Sequence, residues 1–394
     1  MQYAANRRIT GVSARGVVAG LIAALALGSA SAVSAAPLQG TFKISPGANP
    51  PGTTGSYFRM IFPGGSANGA FIGNGSSTAS DNTYTYLSPG TDGGFVTGGY
   101  QPEPSPAFDG LGNSLAARII APQGFFGLNF SADSAAIDPQ TALAVPAPAI
   151  SESGGVLSGD IRAWGASWNN NEFNQGAPKP DGSTPGVTAG PTGTYNPTTK
   201  AYTLDWLSLI VGGPFNGFTG KWHLAGTFVP RVALPGKGLA LGDNADVNKR
   251  KLIVQSKDVA VTIGNGNGNA GDPTVEGATI RVVSSTFDNT YSLAAAQWTL
   301  IGKPGDNKGY KYKNPTGPFK TGQLKPGKPG KPGTLKFSAK GALGHTLASD
   351  PGSVSVLVDI GGQTFWSQYG GTTAFKAGKS FKAKNAPAPT GNVP

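Results

Sequence analysis

Apolar and polar residues alternate at period two over much of this chain, and the alternation breaks every few residues at glycine or proline. Successive side chains of a strand point to opposite faces, so such runs predict half-buried strands joined by tight turns. The clearest pair is YTLDWLSLIV, from Tyr202, and TGKWHLAGTF, ending at Phe228. Tyr202, Leu204 and Trp206 share one face of the first; Trp222, Leu224 and Phe228 share one face of the second. Pro214-Phe215-Asn216-Gly217 supplies turn chemistry between them. The pattern predicts a hairpin whose outward face carries Asp205, Lys221 and His223, with Asp205 and His223 as cross-strand neighbours. Earlier runs at 41–44, 56–62, 118–120, 125–130 and 160–169 read as strands. So do later ones at 249–256, 259–263, 278–283, 297–301, 309–313, 334–339, 353–360 and 364–369.

The first 35 residues follow another pattern. Arg7, Arg8 and Arg15 precede the apolar run Val17 to Leu27, and Val33-Ser34-Ala35 offers small residues for cleavage. This is the layout of a secretory leader, and its apolar run is too short for a permanent membrane span. Cleavage after Ala35 is expected, with the Sec and twin-arginine routes both open. The fold class expected is all-β: two β-sandwich-like, or partly closed barrel, domains behind a helical signal peptide. Their expected bounds are 36–232 and 249–385, with a Gly/Pro-rich linker at 233–248 and a flexible tail at 386–394.

Composition narrows the function classes. The 61 glycines and 32 prolines would suit a low-complexity chain, but 19 Phe, 11 Tyr and 6 Trp are enough to build a core. With no cysteine, disulfides, thiol nucleophiles and cysteine metal sites are excluded; the two histidines, His223 and His345, cannot form a three-histidine zinc site. Charge is divided unevenly. Residues 36–232 hold 8 basic and 11 acidic groups, and residues 233–394 hold 20 and 9. The asymmetry predicts two domains with different surfaces, the second of them basic.

Candidate chemistry is sparse. Gly266 to Gly271 fits G-x-G-x-x-G, yet Asp272-Pro273 and a strand-like run follow where a dinucleotide site needs a helix. Asp243 to Asn248 offers oxygen ligands without the spacing of a calcium loop. Asp205 with His223 could orient a general base, but the chain has no G-x-S-x-G elbow. Glu152, Asp160, Glu172 and Asp205 are carboxylates for glycoside hydrolysis, and nothing in their spacing selects a pair. Trp164, Trp168, Asn169, Asn170 and Asn171 form a candidate glycan site if the rings face solvent, and belong to the core if they do not. Lys308, Tyr310, Lys311, Tyr312, Lys313 and Lys320 form a candidate polyanion site, with both tyrosines of GYKYK on one face and both lysines on the other. KPGKPGKPG at 325–333 reads as an extended basic loop.

Two resemblances follow. GSYFRM at 55–60, LSPGTDGGFVTGGYQPEPSPAFDGLGN at 87–113, FNQGAPKPDGSTPG at 173–186 and the Tyr202–Phe228 hairpin resemble uncharacterised exported proteins of environmental bacteria. KRKLIVQSKD at 249–258, GDPTVEGATIRVV at 271–283, GYKYKNPTGPFK at 309–320 and FKAKNAPAP at 381–389 are similar to a secreted carboxy-terminal module of bacterial exoproteins. Related modules carry cysteines near GPFK and FWSQYGG that this chain lacks. The resemblances imply export and modular construction, with no activity attached. The expectation is a secreted or envelope-associated, non-catalytic binding or structural protein that takes glycans or anionic polymers without a cofactor or metal. The alternative is a carbohydrate-active hydrolase using paired carboxylates.

Overall fold

The computed structural model describes residues 35–48, 54–75, 80–179, 189–266, 268 and 272–390. The expected leader lies outside the described residues apart from Ala35. The described chain is nearly all strand: its helical structure amounts to one α-turn at Pro273–Glu276 and two 3-10 turns. No helix among the described residues is long and apolar enough to cross a membrane. Among them the strands form three sheets, of fourteen, four and eight strands, none closed on itself.

Strand formation follows the alternation. In Ala201–Leu209 every second residue is buried, and in Tyr310–Lys313 both tyrosines are buried and both lysines exposed. Ala201–Leu209 pairs antiparallel with the long strand Thr219–Ala233, in the register Asp205 to His223 and Trp206 to Trp222. The far side of the long strand receives Tyr57–Ile61 and then Gly40–Ile44. Turns use the residue types that their backbone needs. Asn169 and Asn170, at φ 50° and 56°, close the two-residue hairpin between Trp164–Trp168 and Asn171–Asn174. Lys328 and Lys331 exchange backbone hydrogen bonds of 3.0 and 2.8 Å around Pro329-Gly330, so the centre of KPGKPGKPG is a tight turn.

Two hydrophobic clusters fill the molecule. One gathers Trp164, Trp206, Trp222, Phe42, Phe58 and Leu204 from the first half. The other gathers Ile280, Val356 and Phe365 of the large sheet with Leu239, Leu252, Tyr310, Phe337 and Phe381 of the eight-stranded sheet, whose inner faces thus share one core. The halves are also joined by hydrogen bonds: the end of the long strand, Arg231–Ala233, runs parallel to Thr364–Trp366 within the large sheet.

The segment expected as a linker, 233–248, needs correcting. Gly236–Gly242 is a strand inside the eight-stranded sheet, between Lys251–Asp258 and Ser380–Ala386. Its apolar alternation, Leu239 and Leu241, is only two residues long, and the outward positions between and around them are glycine or alanine. Those residues read as turn formers in sequence.

Candidate functional site

The Trp/Asn constellation does not form a ligand platform. Trp164 is fully buried, with Trp206 and Trp222 at ring-centroid distances of 5.2 and 5.4 Å. Trp168 is also buried and donates its indole N–H to the carbonyl of Phe125 at 2.8 Å. Asn169 and Asn170 are spent on the turn, and the Asn171 amide donates to the Asn169 carbonyl. The period-two pattern was sound, but the face it defined points into the core.

The other motifs are consumed locally. Asp272 accepts hydrogen bonds from the backbone N–H groups of Gly268 and Thr274, so a carboxylate already occupies the start of the short helix that follows the glycine run. Asp243 pairs with Arg250 at 3.0 Å and accepts from Leu347, while Asp246 caps a 3-10 turn and pairs with Lys249. No group of three His, Asp or Glu placed to hold a metal occurs among the described residues. Asp205 does meet His223, at 2.7 Å from Nδ1, with Tyr57 stacked on the imidazole at 4.7 Å. Glu152 accepts from the Gly155 backbone, and Asp160 pairs with Arg162 at 2.6 Å.

One carboxylate cluster escaped the sequence reading. Gly165 pairs with Asp133, and Ser167 with Glu172, across adjacent strands of the four-stranded sheet, and the Glu103 carboxyl interacts with Asp133, Glu172 and Ser167. A Cβ on Gly165 would stand 2.1 Å from Asp133 Oδ1, so glycine is needed where the carboxylate crosses the strand. Burial, followed by the charge of Glu172, pushes Asp133 up to about 7. Burial and then the charges of Asp133 and Glu172 push Glu103 up to about 8. These groups come from a loop and two strands whose register no local motif encodes.

The six residues of the basic candidate separate. Tyr310 and Tyr312 are buried, and the Tyr310 hydroxyl accepts the Gly266 N–H at 2.9 Å. Burial raises the Tyr310 phenol, which stays neutral. Lys308 is paired with Asp306 at 2.8 Å, and Lys320 donates to the Pro315 carbonyl. Lys311 and Lys313 remain, exposed on one edge of a much broader surface.

That surface is the outer face of the eight-stranded sheet. The registers set Lys311, Gln323 and Lys336 in one row across three strands, and Lys325, Thr334 and Lys257 in another, so that in each row a polar residue separates two lysines. Lys340 lies directly opposite Lys251. On the far side of Gly236–Gly242, Lys382 and Lys384 alternate with the buried Phe381 and Ala383, and Lys376 follows on the edge strand. The outward positions of these eight strands include no Asp or Glu. Among the described residues no ion pair involves any lysine of this face. Like charges facing each other across strands are destabilising, so the face carries a repulsion that a bound anion would relieve.

No family model matches this chain, and no curated protein and no solved structure matches it.

Proposed function

We propose that this is an exported, non-catalytic binding or structural protein of the cell envelope or extracellular space, built of two sandwich-like β units, whose lysine face holds an anionic polymer. The observation that supports this reading most is the one-sided face: lysines across six strands with no carboxylate among them. A merely solvated surface would intersperse both signs, which is the ordinary composition of a soluble protein exterior.

Salt dependence tests it. Protein spanning 36–394 is expected to bind polygalacturonate at low salt, with log affinity falling linearly as log salt rises. Replacing Lys336, Lys382 and Lys384 together by Ala is expected to weaken binding at least ten-fold and to flatten that slope. Replacing Lys303 and Lys379, outside the face, is expected to leave both unchanged. Salt-independent binding, no binding, or equal effects of the two sets would remove the proposal.

Glu103, pushed up to about 8 by burial and by the charges of Asp133 and Glu172, favours a second reading as a hydrolase, since glycoside hydrolysis needs one carboxyl that holds its proton near neutral pH as a general acid and a second carboxyl nearby. It requires turnover of glycoside substrates that Glu103→Gln and Glu172→Gln each abolish. Turnover surviving both variants, or none at all, removes it.

A further inference from the structure

Across the middle of the lysine face runs a line of positions with almost no side chains. Past a bulge that carries the exposed Lys237 at one end, the outward residues of Gly236–Gly242 are Gly238, Ala240 and Gly242, while Leu239 and Leu241 point into the core. Register gives each one a neighbour on both sides. Gly238 lies between Gln255 and Lys384, Ala240 between Ile253 and Lys382, and Gly242 between Lys251 and Ser380. The result is a trough with a backbone floor. It is about 9.5 Å wide between its flanking strands and about 13 Å long, from strand spacing and rise.

The fold itself does not demand these glycines. Neither Gly238 nor Gly242 has a positive φ. A Cβ on Gly238 would find its nearest neighbour, the Ala383 carbonyl, 3.9 Å away, and one on Gly242 would meet Lys251 at 3.4 Å, both ordinary contacts. Gly236, by contrast, is fixed by packing, since its Cβ would stand 2.6 Å from the Tyr369 ring. Glycine inside a strand weakens it, and where packing gives no reason for it, close approach by a ligand does. Ile253, 45% exposed on the wall at mid-trough, adds an apolar contact amid the lysines.

We infer that this trough is the seat of the polymer, and that its occupant is a single strand of acidic polysaccharide lying along Gly236–Gly242. The inference rests on the polyanion reading above. The width admits one extended chain. Lys251, Lys382 and Lys384 meet carboxylate or sulfate groups on the two walls, and the Gly238-Ala240 floor and Ile253 meet the C–H faces of the sugar rings. A polyphosphate would use the lysines and gain nothing from the apolar floor.

The test adds side chains to the floor. Gly238→Thr with Gly242→Thr places β-branched residues in strand positions, and the double variant is expected to melt at or above the parent temperature. Its affinity for an oligogalacturonate hexamer is expected to fall at least ten-fold, whereas polyphosphate binding, carried by the lysines, is expected to change less than three-fold. Hexamer affinity unchanged in the folded double variant overturns the trough. If Lys382→Ala with Lys384→Ala then still weakens the hexamer, the polyanion reading stands alone; if it too has no effect, both readings fall. Equal losses for hexamer and polyphosphate overturn the polysaccharide assignment. A free protein that sediments as a dimer, and as a monomer after the double substitution, assigns the trough to a second copy and overturns it as well.

Discussion

Trp164→Ala is expected to destabilise the protein by about 3–5 kcal/mol, the usual cost of truncating a buried large aromatic side chain. The indole has no exposure and sits edge-on to two tryptophans that stack on each other at 5.6 Å and 4°. Phe95 approaches its remaining side at 5.8 Å. Removing the ring would leave a cavity that three rigid aromatics from different strands cannot close. Trp164→Phe gives the contrasting result. The Trp164 Nε1 atom is buried without a hydrogen-bond partner, whereas Trp206 donates to the Gln175 carbonyl and Trp222 to the Gln175 side chain. Phenylalanine keeps a ring and removes an unsatisfied donor, which itself costs about 1–3 kcal/mol to bury. The phenylalanine variant is therefore expected to lose less than half of what the alanine variant loses, measured by urea midpoints at constant m. Equal losses would mean that the indole N–H carries no penalty. A negligible loss in Trp164→Ala would place the ring outside the core.

The residues that defeated the sequence reading share a physical cause. Alternation reports that one face of a strand is buried, but not what covers the other. For Tyr202–Phe228 this was enough: the expected faces are buried and Asp205 meets His223. For Trp164 and Trp168 the same signal was present, yet the solvent side and the core side exchanged roles relative to a glycan platform. Tyr310 and Tyr312 fell on one face and Lys311 and Lys313 on the other as expected, with the tyrosines spent on the core. Gly236–Gly242 is illegible because Lys237 falls at a bulge and the outward positions that flank Leu239 and Leu241 are Gly238, Ala240 and Gly242, which lack the polar side chains that normally complete an alternation. The parallel contact of Arg231–Ala233 with Thr364–Trp366 joins residues more than 130 apart, and no local pattern encodes it. Glu103, Asp133 and Glu172 likewise meet only through sheet register. Sequence therefore gave the kind of element and the basic character of the second half, while the site emerged from the order in which strands are laid side by side.

Asp133→Asn is expected to stabilise the protein at neutral and alkaline pH while changing little at pH 4. In the unfolded chain the carboxyl ionises near its ordinary value of about 4. In the folded protein burial holds it at about 7, and the nearby Glu172 adds to the shift. Below pH 4 both states carry the proton, and the group has no effect on the balance. Between pH 4 and pH 7 the unfolded chain releases a proton that the folded one retains. Folding then loses about 1.4 kcal/mol per pH unit, reaching about 4 kcal/mol above pH 7. That is a large fraction of the 5–15 kcal/mol by which domains are commonly stable. Asparagine cannot ionise, so the variant's stability should decline less steeply than the parent's between pH 4 and pH 7, the two meeting at pH 4 and separating as pH rises. Glu103, raised to about 8 by burial and by the charges of Asp133 and Glu172, adds a decline of its own that begins near the ordinary carboxyl value and ends near pH 8, and Glu103→Gln is expected to remove that share over the whole range. Urea midpoints at pH 4, 6 and 8 decide the matter. Parallel curves for parent and Asp133→Asn would show that the carboxylate is already ionised at its buried place between Gly165 and Glu172, and a variant less stable at pH 8 would show that it is held there by a partner that asparagine cannot replace.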